Sequence, residues 1–383
     1  MLKLSSNCVV PLGGTAQESS IRRISTDFGC PKDRRATDYF LVKDSSATLP
    51  SDFAGYLFIS RPPAGVPPNS FLLDQELSYL ADGDVVRINP KRTALRTLYR
   101  RRSPKNALLV TERCNNYCLM CSQPPREIDD SYVAEDILRV IPLMAQETQE
   151  ITLTGGEPTL LGHKLIEIIL SLKKHLPQTA VHILSNGRLF SDWQCSQSIA
   201  HIHHPDLMIG IPIYSDISSI HDHVVQADGA FDETVRGVLN LKAVGVKVEI
   251  RVVLHRLTYE RLPDLARFIR RNLIFCDHIA LMGLEMTGFT RFNLDKLWID
   301  PKDYQSHLRE AVEILAIARM NVSIYNHQLC VLEPSLHKFS RKSISDWKNE
   351  YMEECLGCVR QNECGGFFSS AKLRYSKHIK PFI

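Results

Sequence analysis

The chain has 383 residues, of which 44% are hydrophobic and 23% charged, with 46 Lys and Arg against 43 Asp and Glu. These proportions argue against a fibrous or wholly disordered protein, and a net charge of +3 is too small to single out nucleic acid or an anionic membrane as partner. At ~100–200 residues per domain the length allows two or three units.

Residues 1–105 read as a small β-rich N-terminal domain. Pro62, Pro63, Pro67 and Pro68 crowd a loop, while 55–60 and 84–100 have the β-branched content and turn punctuation of short strands. From residue 106 to 327 the rhythm changes. Strands are expected at 107–111, 150–154, 179–184, 206–213, 247–254 and 278–284, and helices between them at 132–147, 163–175, 191–200, 231–244 and 259–272. Gly245 is the expected stop of the fourth helix. A further helix at 302–319 and a short strand at 321–325 follow, and then a polar tail, 328–383. Alternating strands and helices imply an α/β fold with a parallel sheet and right-handed crossovers, either open or curved into a barrel.

No stretch approaches the ~18 apolar residues of a membrane span, and the start lacks the apolar core of a secretory signal, so a cytoplasmic protein without membrane contact is expected. In such a compartment clustered cysteines mean metal or redox chemistry more often than disulfides. There are 11 cysteines. Cys114, Cys118 and Cys121 have CxxxCxxC spacing on the loop after the first core strand, with no fourth ligand nearby. Structural zinc is closed by four ligands, so this open triplet suits a 4Fe–4S cluster with one iron left for a further ligand. In the tail, Cys355, Cys358 and Cys364 can be joined by Cys330 into a closed four-thiolate site, for zinc or for iron and sulfur. Cys8, Cys30, Cys195 and Cys276 read as small apolar side chains without a role. His201, His203, His204, His221 and His223 read as solvated loop residues, since none has ligand spacing with a thiolate or carboxylate.

The triplet at the end of the first strand resembles the signature of the radical S-adenosylmethionine (radical SAM) superfamily, with Met120 where an aromatic residue usually precedes the last cysteine. The resemblance implies a partial (β/α)6 barrel, a cluster held by the three cysteines, and S-adenosylmethionine as cofactor. Gly155-Gly156-Glu157-Pro158 is similar to the family's motif for the methionine amino group, with Glu157 offering a carboxylate to the ammonium. Ser185 and Asn186 on the third strand's loop are implied ribose or carboxylate contacts. Arg251, a charge in an apolar run, either pairs with the cofactor carboxylate inside the barrel or faces solvent.

The segments Ile220-His221-Asp222 and Gly229-Ala230-Phe231 resemble a connection of peptide-modifying members, and the tail cysteines resemble their auxiliary-cluster extensions, which implies a second 4Fe–4S cluster. Residues 118–125 and 364–368 look like the HxsC family of His-Xaa-Ser-system maturases. That likeness implies a ribosomally made precursor peptide as substrate, a second radical SAM protein of the same system as partner, and a reductant such as flavodoxin or ferredoxin. A radical SAM enzyme acting on RNA or a small metabolite is one alternative, because eight basic residues and no acidic ones lie between Arg87 and Lys105. A zinc-stabilised adaptor without activity is another.

Overall fold

The computed structural model describes the chain except residues 1–3, 8, 13–17, 44–48, 61, 63–64 and 343–349. Cys8 and Pro63 lie outside the described residues. Two sheets organise the rest. The first has eight strands, β1 (Ser5–Ser6), β2 (Val10–Leu12), β3 (Ser20–Ser25), β4 (Tyr39–Val42), β5 (Gly55–Phe58), β6 (Ser70–Leu72), β7 (Val85–Asn89) and β8 (Ala94–Tyr99), in the order β1-β8-β7-β3-β4-β5-β6-β2. It is mixed, with β3, β4, β5 and β6 parallel and the other pairings antiparallel.

The second sheet has seven strands, β9 (Lys105–Thr111), β10 (Glu150–Gly155), β11 (Ala180–Leu184), β12 (Leu207–Pro212), β13 (Lys247–Leu254), β14 (His278–Gly283) and β15 (Val322–Tyr325). Neighbours pair in chain order, all parallel, and β9 and β15 remain separate edges, so the sheet is an incomplete barrel. A (β/α)6 arrangement with one further strand results. The crossovers carry α1 (Ser131–Val140), α2 (His163–His175), α3 (Trp193–Ala200), α4 (Ser218–Val225), α5 (Ala230–Ala243), α6 (Leu262–Asn272) and α7 (Gln305–Ile317).

Side-chain alternation explains where the core lies. Ile151 and Leu153, Val181 and Ile183, Ile209 and Ile211, and Val248, Ile250 and Val252 point outward and are buried against the helices. In α2 the covering stripe is Leu165, Ile168, Ile169 and Leu172, the spacing of one helical face. Alternate residues, including Thr152, Thr154, His182 and Arg251 on those strands and Tyr325 on β15, face the barrel interior and place polar groups among apolar ones such as Leu184, Val253 and Met282. Gly245, at φ +82°, follows α5 in the left-handed conformation that ends it.

The structure adds α4, which the polar run around His221 had hidden. His221, Val224 and Val225 are its buried face at i, i+3 and i+4, so His221 is not a solvated loop residue. It is 1% exposed, and its Nδ1 accepts the Tyr214 backbone N–H at 3.2 Å. His204 is half-buried, whereas His201, His203 and His223 are exposed. The basic run between Arg87 and Lys105 is also less bare than its sequence suggests. Arg87 pairs with Asp136, Arg101 with Asp82 and Glu147, and Lys105 with Glu150.

Buried imidazoles make stability depend on pH. Burial pushes His221 and His327 down to about 4 and His255 to about 3, from an ordinary 6.5. Each folded-state value lies below the unfolded one, so the unfolded chain takes up more protons as the pH drops, and stability present above about 6.5 is lost toward 4. Urea unfolding midpoints are expected to fall between about pH 7.5 and pH 5, less steeply in His255→Phe. A flat profile in the native sequence contradicts the burial of these rings.

Candidate active site

The mouth of the barrel is built from loops at the carboxyl ends of the strands. The cysteine loop leaves β9 at Thr111 and is fastened at its start by Asp130, 1% exposed, which accepts hydrogen bonds from the Thr111 hydroxyl and the Glu112 N–H. Gly155 and Gly156 let that loop lie against the end of β10. A Cβ on Gly156 would stand 2.0 Å from the Arg113 carbonyl oxygen, and one on Gly155 would stand 2.2 Å from the Thr111 oxygen. The gap is closed by hydrogen bonds, Gly156 N–H to Thr111 O at 2.8 Å and Glu157 N–H to Arg113 O at 2.7 Å. The glycine pair therefore serves the contact between the two loops as well as the cavity wall.

Beyond Cys114 the loop is gripped from three sides. Arg188 donates from Nη1 to Asn115 O and Asn116 Oδ1, both at 2.7 Å, and pairs through Nε with Glu233. The C-terminal end of α4 accepts the Tyr117 and Leu119 N–H groups through Val225 and Val224. The segment after β14 closes the third side, with Thr290 donating to Met120 O and Asn293 to Leu119 O. Hydrogen bonds to charged groups are worth ~1.5–3 kcal/mol, so Arg188 contributes substantially to the loop's shape.

Cys114, Cys118 and Cys121 all border one cavity, shared with Met120, Gly155, Gly156, Ser185, Asn186, Tyr214 and Arg251. Its space is about 1830 Å³ including the mouth. Burial pushes the Cys114 thiol up to about 11 and raises Cys118 and Cys121 as well, so without a cation these thiols stay protonated. Positive metal ions must displace those protons to bind. The Asn116 N–H lies 3.4 Å from the Cys114 sulfur. Among the described residues no group of three or more His, Cys, Asp or Glu converges on a site for a single metal ion. Three soft thiolates around an open space are a donor set that could hold an iron–sulfur cluster and leave one iron position for an added ligand.

Glu157 occupies a different place from the one expected. It is 0% exposed and does not reach the cavity. Its Oε1 accepts from the Thr159 N–H at 3.0 Å, the Thr159 hydroxyl at 2.6 Å and the Ser185 hydroxyl at 2.8 Å, and its Oε2 from the Asn186 N–H at 2.6 Å. Four donors of the chain itself satisfy the carboxylate, which corrects the expectation that it faces an ammonium group. Pro158 is likewise buried, at the start of a single turn. Ser185 and Asn186 do line the cavity, and Asn186 Nδ2 donates to Asn115 Oδ1 at 2.6 Å. Arg251 faces the interior rather than solvent, paired with Glu249.

The tail is irregular, yet it gathers its cysteines. Cys330, Cys355, Cys358 and Cys364 line a second, small hollow, partly open to solvent, with Tyr351, Arg360 and Phe382. The Phe382 N–H lies 3.4 Å from the Cys358 sulfur, the kind of donor that stabilises a thiolate ligand. Four thiols around one hollow are a donor set that could hold an iron–sulfur cluster. Of the remaining cysteines, Cys30 and Cys276 are buried and Cys195 is half-buried against the core.

Sequence reasoning missed Asp130, Arg188, Tyr214 and Glu249. Tyr214 borders the cavity and stacks on His221 with ring centroids 5.7 Å apart. A strand-end position was the only available signal for Arg188 and Tyr214.

Comparison with known proteins agrees with this geometry. A stretch of 96 residues, 23% of this chain and 26% of the relative, is 30% identical to the GTP 3′,8-cyclase of Paenarthrobacter nicotinovorans. The fold is similar to the crystal structure of Streptococcus suis SuiB bound to S-adenosylmethionine, with a TM-score of 0.50 and 18% identity over 63% of this chain and 54% of that one. Coproporphyrinogen III oxidase (HemN) of Escherichia coli matches less well, with a TM-score of 0.44 and 12% identity over 56% of this chain and 53% of its own. The chain thus spans about half the length of the structures and about a quarter of the curated relative. No helix among the described residues is long and apolar enough to cross a membrane. The family model of the Radical SAM superfamily, whose cofactors are a 4Fe–4S cluster and S-adenosylmethionine, matches residues 108–269, the stretch that runs from β9 through α6 of the parallel half-barrel.

Proposed function

We propose that this protein is a radical SAM enzyme that modifies a ribosomally made peptide, with His-Xaa-Ser repeats as the preferred substrate. The observation that carries the enzymatic part is the shared cavity of Cys114, Cys118 and Cys121 with Gly155, Gly156, Ser185 and Asn186 at the carboxyl ends of parallel strands. Ligands of such sheets gather at that end. The three cysteines would hold the cluster. When bound, the cluster supplies the electron that cleaves S-adenosylmethionine to methionine and a 5′-deoxyadenosyl radical.

The chain's own residues prepare the site. Arg188, Asp130 and the glycine pair fix the loop that carries the three thiols. Glu157 locks the Gly155–Pro158 turn to Ser185 and Asn186, which lets the backbone of both loops meet the cofactor's methionine end. Met120 presents a thioether to the cavity, suited to an adenine face. The barrel walls keep bulk water from a reactive radical.

The peptide substrate rests on the likeness of residues 118–125 and 364–368 to the HxsC family. It also fits the tail, where Phe368 lines the main cavity. The acidic partners of Arg87, Arg101 and Lys105 weaken the case for RNA. We assign Cys330, Cys355, Cys358 and Cys364 to an auxiliary 4Fe–4S cluster, and residues 1–105, 106–327 and 328–383 to three functional units.

Anaerobic purification and reconstitution, followed by reductant and S-adenosylmethionine, tests the reading. A brown, iron-containing protein that releases 5′-deoxyadenosine supports it; a colourless protein holding zinc refutes it. Cys358→Ala is expected to retain 5′-deoxyadenosine release while its iron content falls by about half, since the two cysteine cavities are separate. Iron unchanged in that variant argues against a tail cluster.

A further inference from the structure

The four tail cysteines come from two stretches that are held in different ways. Cys330 sits in a turn at residues 328–332, closed by the Val331 and Leu332 N–H groups on Gln328 O. Leu329 and Leu332 on either side of it are buried in the barrel's core, so the barrel carries this thiol. Cys355, Cys358 and Cys364 belong to an irregular loop whose Leu356 and Val359 are 79% and 72% exposed. Little apolar burial fixes that loop, and something else must bring it to Cys330.

One side chain reaches both stretches. His337 Nε2 lies 2.9 Å from the Leu329 carbonyl oxygen and 3.3 Å from that of Leu332, while its Nδ1 lies 3.0 Å from Nη1 of Arg360, the residue two places after Cys358. A carbonyl only accepts and a guanidinium only donates, so Nε2 carries the ring's proton and Nδ1 receives the Arg360 N–H. Arg360 is oriented in turn by Glu363, which accepts from its Nε at 3.2 Å and its Nη2 at 2.8 Å. Phe382 joins the same group. Its ring meets His337 edge-on with centroids 6.1 Å apart and lies 5.0 Å from the Arg360 guanidinium, and its N–H is the one that faces the Cys358 sulfur.

His337 is itself anchored to the barrel. Ser340, at the end of its short turn, bridges to Ile324 of β15, and the Arg341 N–H donates to Ile324 O at 2.8 Å. A second tie between the stretches, Gln328 Nε2 to Gly366 O at 2.8 Å, lies past the last cysteine and leaves the part around Cys358 unguided. His337 does not line the hollow, so its influence on the thiols passes through the Leu329 and Leu332 carbonyls and through Arg360. We propose that His337 is the positioning residue that holds Cys330 in place against Cys355, Cys358 and Cys364, so that all four thiolates close one cluster. The proposal rests on the reading of the tail as an auxiliary 4Fe–4S site.

The test uses the full chain in a Cys118→Ala background, where the remaining iron belongs to the tail, reconstituted anaerobically and then treated with ferricyanide. A cluster in which one iron lacks a protein thiolate passes one electron to ferricyanide, releases that iron as a ferrous ion and becomes a three-iron cluster with an unpaired spin, whereas the intact four-iron form has no EPR signal. With His337 in place the tail is expected to stay silent. His337→Leu is expected to give a three-iron signal about tenfold larger, the weight of the hydrogen bonds it removes from Arg360 and Leu329. Arg360→Met cuts the same link from the loop's side and is expected to do likewise. His337→Gln, whose amide both accepts and donates, is expected to restore most of the silent form. Cys330→Ala is the reference, since there the thiolate is missing outright. A silent tail in His337→Leu or Arg360→Met, or a His337→Gln signal as large as that of His337→Leu, overturns the proposal. A Cys330→Ala tail that also stays silent, or a tail that takes up zinc and no iron, refutes instead the reading of the tail as a four-cysteine cluster.

Discussion

Cys118→Ala is expected to abolish 5′-deoxyadenosine formation and to strip iron from the barrel mouth, while the protein stays folded. Cys118 is half-buried beside Met120 and Tyr214, and replacing its sulfur with hydrogen removes about one methylene's worth of packing, ~1 kcal/mol. That is small beside the loss of one of three ligands, which leaves an iron of the cluster without protein support. The loop itself is held by other groups, the Leu119 N–H on Val224 O and Asn293 on Leu119 O among them. Melting and far-ultraviolet circular dichroism should therefore match the native apoprotein, while iron and the visible absorption of the mouth cluster are lost. Undiminished 5′-deoxyadenosine from this variant contradicts the assignment of the three cysteines.

The parts of this architecture that depend on short-range order were readable in the chain. Side chains alternate faces every residue in a strand, so runs such as Glu150–Gly155 announce one apolar and one polar face. Cys114, Cys118 and Cys121 lie within eight positions of sequence and one loop, and their proximity needs no tertiary information. Cys330 differs, since only the folded tail brings it to Cys355, Cys358 and Cys364. The polar network around Glu249 was invisible for the same reason. Its members come from β11, β13, β14 and β15, and Glu249 reads in sequence as an ordinary charge in a strand. Arg251 was ambiguous until Glu249 was seen beside it. His221 misled in the opposite direction, because a polar local run outweighed the i, i+3, i+4 spacing with Val224 and Val225 that makes it an interior residue of α4.

Glu157→Ala carries the second large effect, and it separates two roles for this carboxylate. The resemblance of the Gly155–Pro158 motif implies a contact with the cofactor's ammonium, whereas the structure aims all of its hydrogen bonds inward, to Thr159, Ser185 and Asn186. Removing the carboxylate leaves buried donors from two loops without an acceptor, at ~1–3 kcal/mol for each group that cannot find another, so a loss of several kcal/mol is expected. Thermal unfolding should begin at markedly lower temperature, and amide exchange should rise at residues 155–160 and 185–188 even in apoprotein. Glu157→Gln keeps an oxygen for Thr159 and Ser185 but turns an N–H₂ toward the Asn186 N–H, and should fall between the two. If the side chain acted only as a ligand contact, Glu157→Ala would melt like the native apoprotein and lose S-adenosylmethionine affinity alone. Apoprotein stability thus reads the scaffold role directly, before any cofactor is added, and an unchanged melting curve would return Glu157 to the cavity.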